Sequence, residues 1–264
     1  LTRLPESMIV VGSGAIGSEF AWFYAALGVR VTIVEYMPRM MPLEDEEVSK
    51  TMERAFRKLR AAVLTSTTVK SVRVNTEGRC EVEIEGKKGA ETLTADIVLS
   101  AVGIKSNIEN IGLEELGVAV ERDKVVVDQF YRTNVPGVYA IGDIVGGPAL
   151  AHVASAEGIC CVEAICGLNP APVDYSTIPS CVFTSPEVAS VGMTEQQAQE
   201  LGIAYKTGRF PFTASGKATA AGDRDGFVKL LFGEDDTLLG AHMVGMNVTE
   251  MIAEPTLAPV SYTH

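Results

Sequence analysis

Gly12-Ser13-Gly14-Ala15-Ile16-Gly17 follows the apolar run Met8–Val11 and opens a stretch of helix formers that ends at Gly28. Glu35 closes a second apolar run, Arg30–Glu35, eighteen positions beyond Gly17. Alone, a Gly-x-Gly-x-x-Gly spacing says little, but strand, turn, helix, strand and terminal acid together predict a dinucleotide site. Gly12 permits the tight turn, Gly14 lets the backbone approach a pyrophosphate, and Gly17 allows the helix to pack close to the strand. Ala15 and Ile16 lie at the helix N-terminus, where unpaired N–H groups and the positive dipole end attract phosphate. Glu35 is placed to accept from both hydroxyls of an adenosine ribose and to repel a 2′-phosphate. Tyr36, Met37 and Pro38 come next, with no Arg to welcome that phosphate, so the expected ligand is NAD rather than NADP. A purely structural glycine turn is the alternative.

These residues need a βαβ unit to hold them, and residues 8–35 have its apolar rhythm, which signals a parallel sheet. Glu44–Arg60 reads as an amphipathic helix with Val48, Met52, Ala55 and Leu59 on one face. Glu44-Asp45-Glu46-Glu47 form its first turn, where the macrodipole favours acids; a metal site is the alternative. Val69–Val74, Cys80–Glu85 and Glu91–Ala101 alternate as strands. Beyond Gly103 the predicted elements are strands at Lys124–Val127 and Gly137–Ile141 and a helix over Val153–Cys166. Past Pro170, Pro172 and Pro179, strands are expected at Ser180–Thr184, Gly208–Phe212, Gly226–Phe232 and Leu239–Val244, around a short helix Thr194–Leu201.

The 264 residues, 47% apolar and 21% charged, suit a folded α/β protein. A net charge of −12 argues against nucleic acid as a partner. Met8–Val34, the most lipid-like stretch, is broken by Glu19 and Arg30, so no membrane span is expected. No secretory signal is visible, and five cysteines, an odd number, fit reduced thiols in the cytoplasm better than a disulfide framework. Opening at Leu1 rather than Met, the chain is expected to be a piece of something longer.

Five motifs in order, Met8–Gly28, Ser100–Gly103, Tyr139–Asp143, Ala149–His152 and Ile178–Gly192, resemble the pyridine nucleotide-disulfide oxidoreductases. Thr207–Gly226 and Gly240–Glu254 are most similar to the members that oxidise dihydrolipoyl groups of 2-oxoacid dehydrogenase complexes. The resemblance implies a Rossmann-type NAD-binding domain (1–104), a central FAD-completing region (105–175) and an α+β dimerisation domain with an antiparallel sheet (176–264). It implies a homodimer that passes electrons from a dithiol to a disulfide, to FAD and then to NAD, with lipoyl domains as partners. Carried over residue by residue, Gly12, Gly14, Ala15, Ile16, Gly17 and Glu35 bind NAD, Gly103 contacts it, and Val69 lies near the adenine. Glu19 orients the nicotinamide, the Asp143 carboxylate accepts from the FAD ribityl chain, and Ala151 offers that cofactor a backbone contact.

Departures from the pattern matter equally. Neither the family's first Gly-x-Gly-x-x-Gly nor its Cys-x₄-Cys redox pair precedes Leu1, and Glu254 stands where the acid/base His is expected. Pro255 and Pro259 are expected to interrupt a long helix there, and His264 lacks a following Glu. Cys161 and Cys166 have the redox spacing but fall in a predicted helix. Residues five apart on a helix are turned by ~140° with ~7.5 Å of rise, too far for a disulfide. His152 reads as a structural residue on the flavin side. With no catalytic pair and no acid/base present, the segment alone is expected to be inactive. The alternatives are a sister flavoprotein, such as a mercuric reductase or soluble transhydrogenase, and a silent NAD-binding or dimerisation module.

Overall fold

Short runs of β-branched residues and the glycines that end them set the architecture of the computed structural model, which describes residues 1–261. Two compact units form, one from Leu1–Gly103 with the segment from Pro179 onward, the other from Ile104–Ile178. The first unit begins β1 (Ser7–Val11), α1 (Ala15–Ala26), β2 (Arg30–Val34), α2 (Glu46–Lys58) and β3 (Ala62–Leu64). There follow β4 (Thr68–Val74), β5 (Cys80–Gly86), β6 (Gly89–Ala95) and β7 (Ile97–Ser100). The order β3-β2-β1-β7 makes a parallel sheet, while β4-β5-β6 form a separate antiparallel sheet. Met8, Val10, Val31 and Ile33 are buried against Ala21 and Ala25 of α1 and Val48, Met52 and Phe56 of α2, so the helical periodicity and the strand runs share one core.

The expected single strand Glu91–Ala101 is instead two strands in different sheets. Asp96 is the break: its Oδ2 accepts from the N–H groups of Glu6 (2.8 Å) and Ser7 (3.0 Å), turning the chain between β6 and β7. A side chain that recruits backbone donors competes with the strand ladder.

In the second unit, β8 (Val120–Glu121) and β9 (Lys124–Val125) form a small hairpin, and α3 spans Ala151–Ile165. The strand expected at Gly137–Ile141 is reduced to one bridge, Arg132 to Tyr139, because Pro136 lacks a donor and Gly137 adopts φ +82°.

Back in the first unit come β10 (Ser180–Val182), β11 (Glu187–Gly192), α4 (Glu195–Glu200), β12 (Tyr205–Pro211), α5 (Gly216–Ala221), β13 (Phe227–Gly233) and β14 (Leu238–Gly245). α6 (Val248–Met251) and α7 (Ala253–Ser261) end the described chain. The antiparallel sheet runs β10-β11-β14-β13-β12. β11, unforeseen in the sequence, pairs along its whole length with β14. The two prolines do not stop α7, which includes both; Pro255 sits in its first turn, where the missing N–H has no helical partner to lose.

The acidic run before α2 does more than start a helix. Asp45, fully buried, caps α2 through the Glu47 N–H and receives Lys229 Nζ of β13 at 2.9 and 3.0 Å. Glu195 Oε2 takes the same ammonium at 2.5 Å. Burial opposes charge on Asp45, but the hydrogen bond from Lys229, that from the Glu47 N–H and the nearby ammonium charge together outweigh it and hold the carboxyl below its usual range. This buried ion pair fastens α2, and with it the parallel sheet, to the antiparallel one.

Candidate nucleotide and flavin sites

All four parallel strands end at one sheet edge, and three loops leave it side by side. The N–H of Gly12 reaches the last carbonyl of β2 (Val34, 2.9 Å), that of Ala101 the last carbonyl of β1 (Val11, 2.8 Å), and that of Glu35 the last carbonyl of β3 (Leu64, 2.8 Å). Gly12, Glu35 and the segment leading to Gly103 are thereby pinned together at the carboxyl edge, where open α/β sheets bind ligands.

Each motif glycine has a distinct reason. At Gly12 the backbone has φ +95° and an added Cβ would lie 2.4 Å from Ala101 O. At Gly17 one would lie 2.1 Å from Gly12 O, so a close turn-to-helix approach excludes a side chain there. Nothing lies within 4 Å of a Cβ at Gly14, which leaves its approach open. Gly14 is also the N-cap of α1 without a side-chain cap, the first turn carries no acid, and the helix ladder begins only with Ser18 N–H donating to Gly14 O. The N–H groups of Ala15, Ile16 and Gly17 are thus free to bind an anion.

Glu35 is 6% exposed. Its Oε2 accepts from Ser13 N–H (2.8 Å) and Ser13 Oγ (2.7 Å), and its Oε1 from Met37 N–H (2.8 Å). A carboxylate offers about four acceptor positions, so one remains, on Oε1. Ser13, passed over in the sequence as a filler between glycines, is fully buried and also accepts from Met41 N–H at 3.1 Å. The signal that could have found it is its hydroxyl in a loop that otherwise holds only Gly, Ala and Ile.

Glu19 lies one turn into α1, half-buried, and its Oε1 accepts from Phe183 N–H at 2.9 Å. Gly103 follows β7 with φ +133° and open space where a side chain would be. Val69 in β4 packs against the cluster of Ile9, Val34, Val82, Ile84 and Ala95.

In the second unit, Asp143 lies in a single 3₁₀ turn, Gly142–Ile144, and is exposed. Its carbonyl accepts from Ser106 Oγ (3.0 Å) and Lys124 Nζ (2.7 Å), while its carboxylate has no hydrogen-bond partner among the described residues. Ala151, exposed, is the first residue of α3, whose N-cap, Leu150, supplies no side-chain cap. Glu157, which the sequence did not single out, is 1% exposed. Its Oε2 accepts from Gly142 N–H (2.6 Å) and its Oε1 from Tyr175 OH (2.6 Å), and Tyr175 OH lies 3.1 Å from Tyr131 OH. Burial, and then donation to Glu157, push the Tyr175 hydroxyl far above its usual range, so it stays a donor.

All five cysteines are free. Cys161 is buried in α3 and Cys166 is the exposed residue after that helix. Burial raises the Cys161 thiol above its usual range, opposite to the lowered value of a reactive cysteine. His152 is exposed, and His264 lies outside the described residues. Among the described residues, no helix is long and apolar enough to cross a membrane, and no group of three His, Cys, Asp or Glu could hold a metal ion.

A parallel sheet with this carboxyl edge, followed by an antiparallel sheet, defines a class. Residues 1–158 match the pyridine nucleotide-disulphide oxidoreductase model, and residues 178–260 match the dimerisation domain of the same proteins. The chain belongs to the pyridine nucleotide-disulphide oxidoreductase family. More particularly, it is similar to dihydrolipoyl dehydrogenases. It is 49% identical over 252 residues to that of Rhizobium etli, covering 94% of this chain and 52% of the relative. With that of Zymomonas mobilis it shares 46% identity over 258 residues, covering 97% and 55%. Among solved structures, LpdA from Mycobacterium tuberculosis superposes with a TM-score of 0.89 at 30% identity, over 98% of this chain and 56% of that one. The HOCl-induced flavoprotein disulfide reductase RclA from Escherichia coli, as its Cu(II) complex, gives 0.91 at 26%, over 99% and 59%. The chain spans about half the length of the curated relatives it matches.

Proposed function

We propose that this chain carries the NAD site, part of the FAD site and the dimerisation domain of a flavoprotein that oxidises dihydrolipoyl groups and passes the electrons through FAD to NAD. In this reading, residues 1–104 bind NAD, 105–175 complete the FAD site and 176–264 form the dimer contact. The observation that carries it is the sheet edge where Gly12–Gly17, the free first turn of α1 and Glu35 converge. The N–H groups of Ala15, Ile16 and Gly17 hold the pyrophosphate. The remaining acceptor position of Glu35 takes a ribose hydroxyl and meets a 2′-phosphate with like charge. Gly103 and Val69 border the nucleotide, and Glu19 orients the nicotinamide.

The Asp143 carboxylate, without a hydrogen-bond partner among the described residues, and the uncapped start of α3 at Ala151 suit FAD: Asp143 would accept from its ribityl chain and Ala151 would offer it a backbone contact. When bound, FAD supplies the two-electron relay between a dithiol and a nicotinamide. The chain's own residues bind and orient; its cysteines, all free, contribute no redox disulfide. The working form is a homodimer whose partners are lipoyl domains, and the free thiols favour the cytoplasm.

A flavoprotein disulfide reductase acting on another substrate is the second reading, favoured by the RclA backbone match. The far higher sequence identity to dihydrolipoyl dehydrogenases weighs against it. NAD and NADP dissociation constants test the nucleotide assignment, and equal values overturn it. In the FAD-loaded protein that carries this sequence, dihydrolipoamide-dependent NADH formation tests the substrate. NAD and FAD binding without that reaction leaves the dihydrolipoyl assignment refuted.

A further inference from the structure

Ser13 stands where the loop after β1 meets the loop from β2 to α2. Its N–H and its hydroxyl both donate to Glu35 Oε2 (2.8 and 2.7 Å), and its Oγ accepts from Met41 N–H (3.1 Å) in the segment that leads to α2. Met41 itself is fixed: it is 2% exposed, adopts φ +49°, and its carbonyl accepts from Ser49 Oγ of α2 at 3.2 Å. The Ser13 hydroxyl is therefore oriented by the Met41 amide so that its proton points at Glu35. With Oε2 held twice by Ser13 and Oε1 once by Met37, only Oε1 keeps an acceptor position.

We propose that Ser13 is a specificity-determining positioning residue: its hydroxyl locks the Glu35 carboxylate in the rotamer that presents Oε1 to the nucleotide ribose, and this lock sets the preference for NAD over NADP. The inference rests on the NAD reading above. A carboxylate released from the hydroxyl keeps its charge but loses a fixed position. It can then swing from a 2′-phosphate, so NADP gains relative to NAD.

The test is a double-mutant cycle on the full chain, reading dissociation constants for NAD and for NADP. The unmutated chain prefers NAD by about tenfold or more, the worth of one charged hydrogen bond. Ser13→Ala narrows that ratio by about threefold to tenfold, and Ser13→Gly, which leaves room for a water to pair with Met41 N–H, narrows it similarly. In a Glu35→Ala background, Ser13→Ala leaves the ratio unchanged. A merely structural serine weakens both nucleotides equally and leaves the ratio alone in every background, which overturns the proposal. Equal constants in the unmutated chain overturn the NAD reading itself. The unmutated chain gives a check independent of variants. Hydrogen exchange at the Met41 amide is slow and stays slow with NAD bound, whereas fast exchange of that amide shows that the lock does not exist.

Discussion

The turn after β1 and the turn at Gly142–Ile144 solve the same problem with opposite divisions of labour. In each, a buried glutamate accepts a glycine-loop N–H and a hydroxyl: Glu35 from Ser13 twice, Glu157 from Gly142 and Tyr175. Each turn lies close in sequence to a helix whose N-cap supplies no side-chain oxygen. At the first, one carboxylate both braces the loop and keeps an acceptor position for a ligand. At the second, Glu157 is spent on bracing and the neighbouring Asp143 carries the exposed carboxylate. A brace that also faces a ligand couples stability to specificity, whereas a separate brace lets the two vary independently.

That contrast can be broken most forcefully at the glycines. Gly17→Ala sets a Cβ against the Gly12 carbonyl and is expected to cost about 3 kcal/mol or more in denaturant unfolding. Gly14→Ala, in open space, costs under about 1 kcal/mol. Comparable losses at both positions rule out the close approach as the reason for Gly17.

Next in size is Glu157→Ala, which strands the Gly142 N–H and leaves the Tyr175 hydroxyl only Tyr131 OH as a partner. A loss of about 2–3 kcal/mol in thermal or denaturant melts is expected, with nucleotide constants untouched. Glu35→Ala removes brace and selector together. It narrows the gap between NAD and NADP by about 1–3 kcal/mol and lowers stability in the same protein. A Glu35→Ala chain that loses stability but keeps its nucleotide preference shows that Glu35 only braces. Smallest is Asp143→Asn, expected to change stability by less than about 0.5 kcal/mol while flavin absorbance of the purified protein falls. A large loss of stability there places Asp143 in the brace and removes the contrast.

The glycine loop was legible because its requirements are local. A strand, three glycines, a helix and an acid at the next strand end are read along some thirty residues, and the parallel sheet they imply is the one observed. The resemblance to the family is also what singled out Asp143 and Ala151 as candidate flavin contacts. Strands were harder where pairing rather than pattern decides them. β11 has no alternation of its own and is a strand because β10 and β14 flank it, while Gly137–Ile141 has strand composition but only one bridging partner.

Sequence by itself determined the α/β class, the glycine-loop geometry, the acid at Glu35, and a Cys161–Cys166 spacing that a helix turns apart. Tertiary structure alone decided which polar groups those residues meet. Ser13 on Glu35, Glu157 on Gly142 and Lys229 on Asp45 join positions 22, 15 and 184 residues apart. Each partner is a common polar residue with no periodic mark. Its role comes from burial, which makes an unpaired donor or carboxylate costly and so selects the one neighbour that can satisfy it.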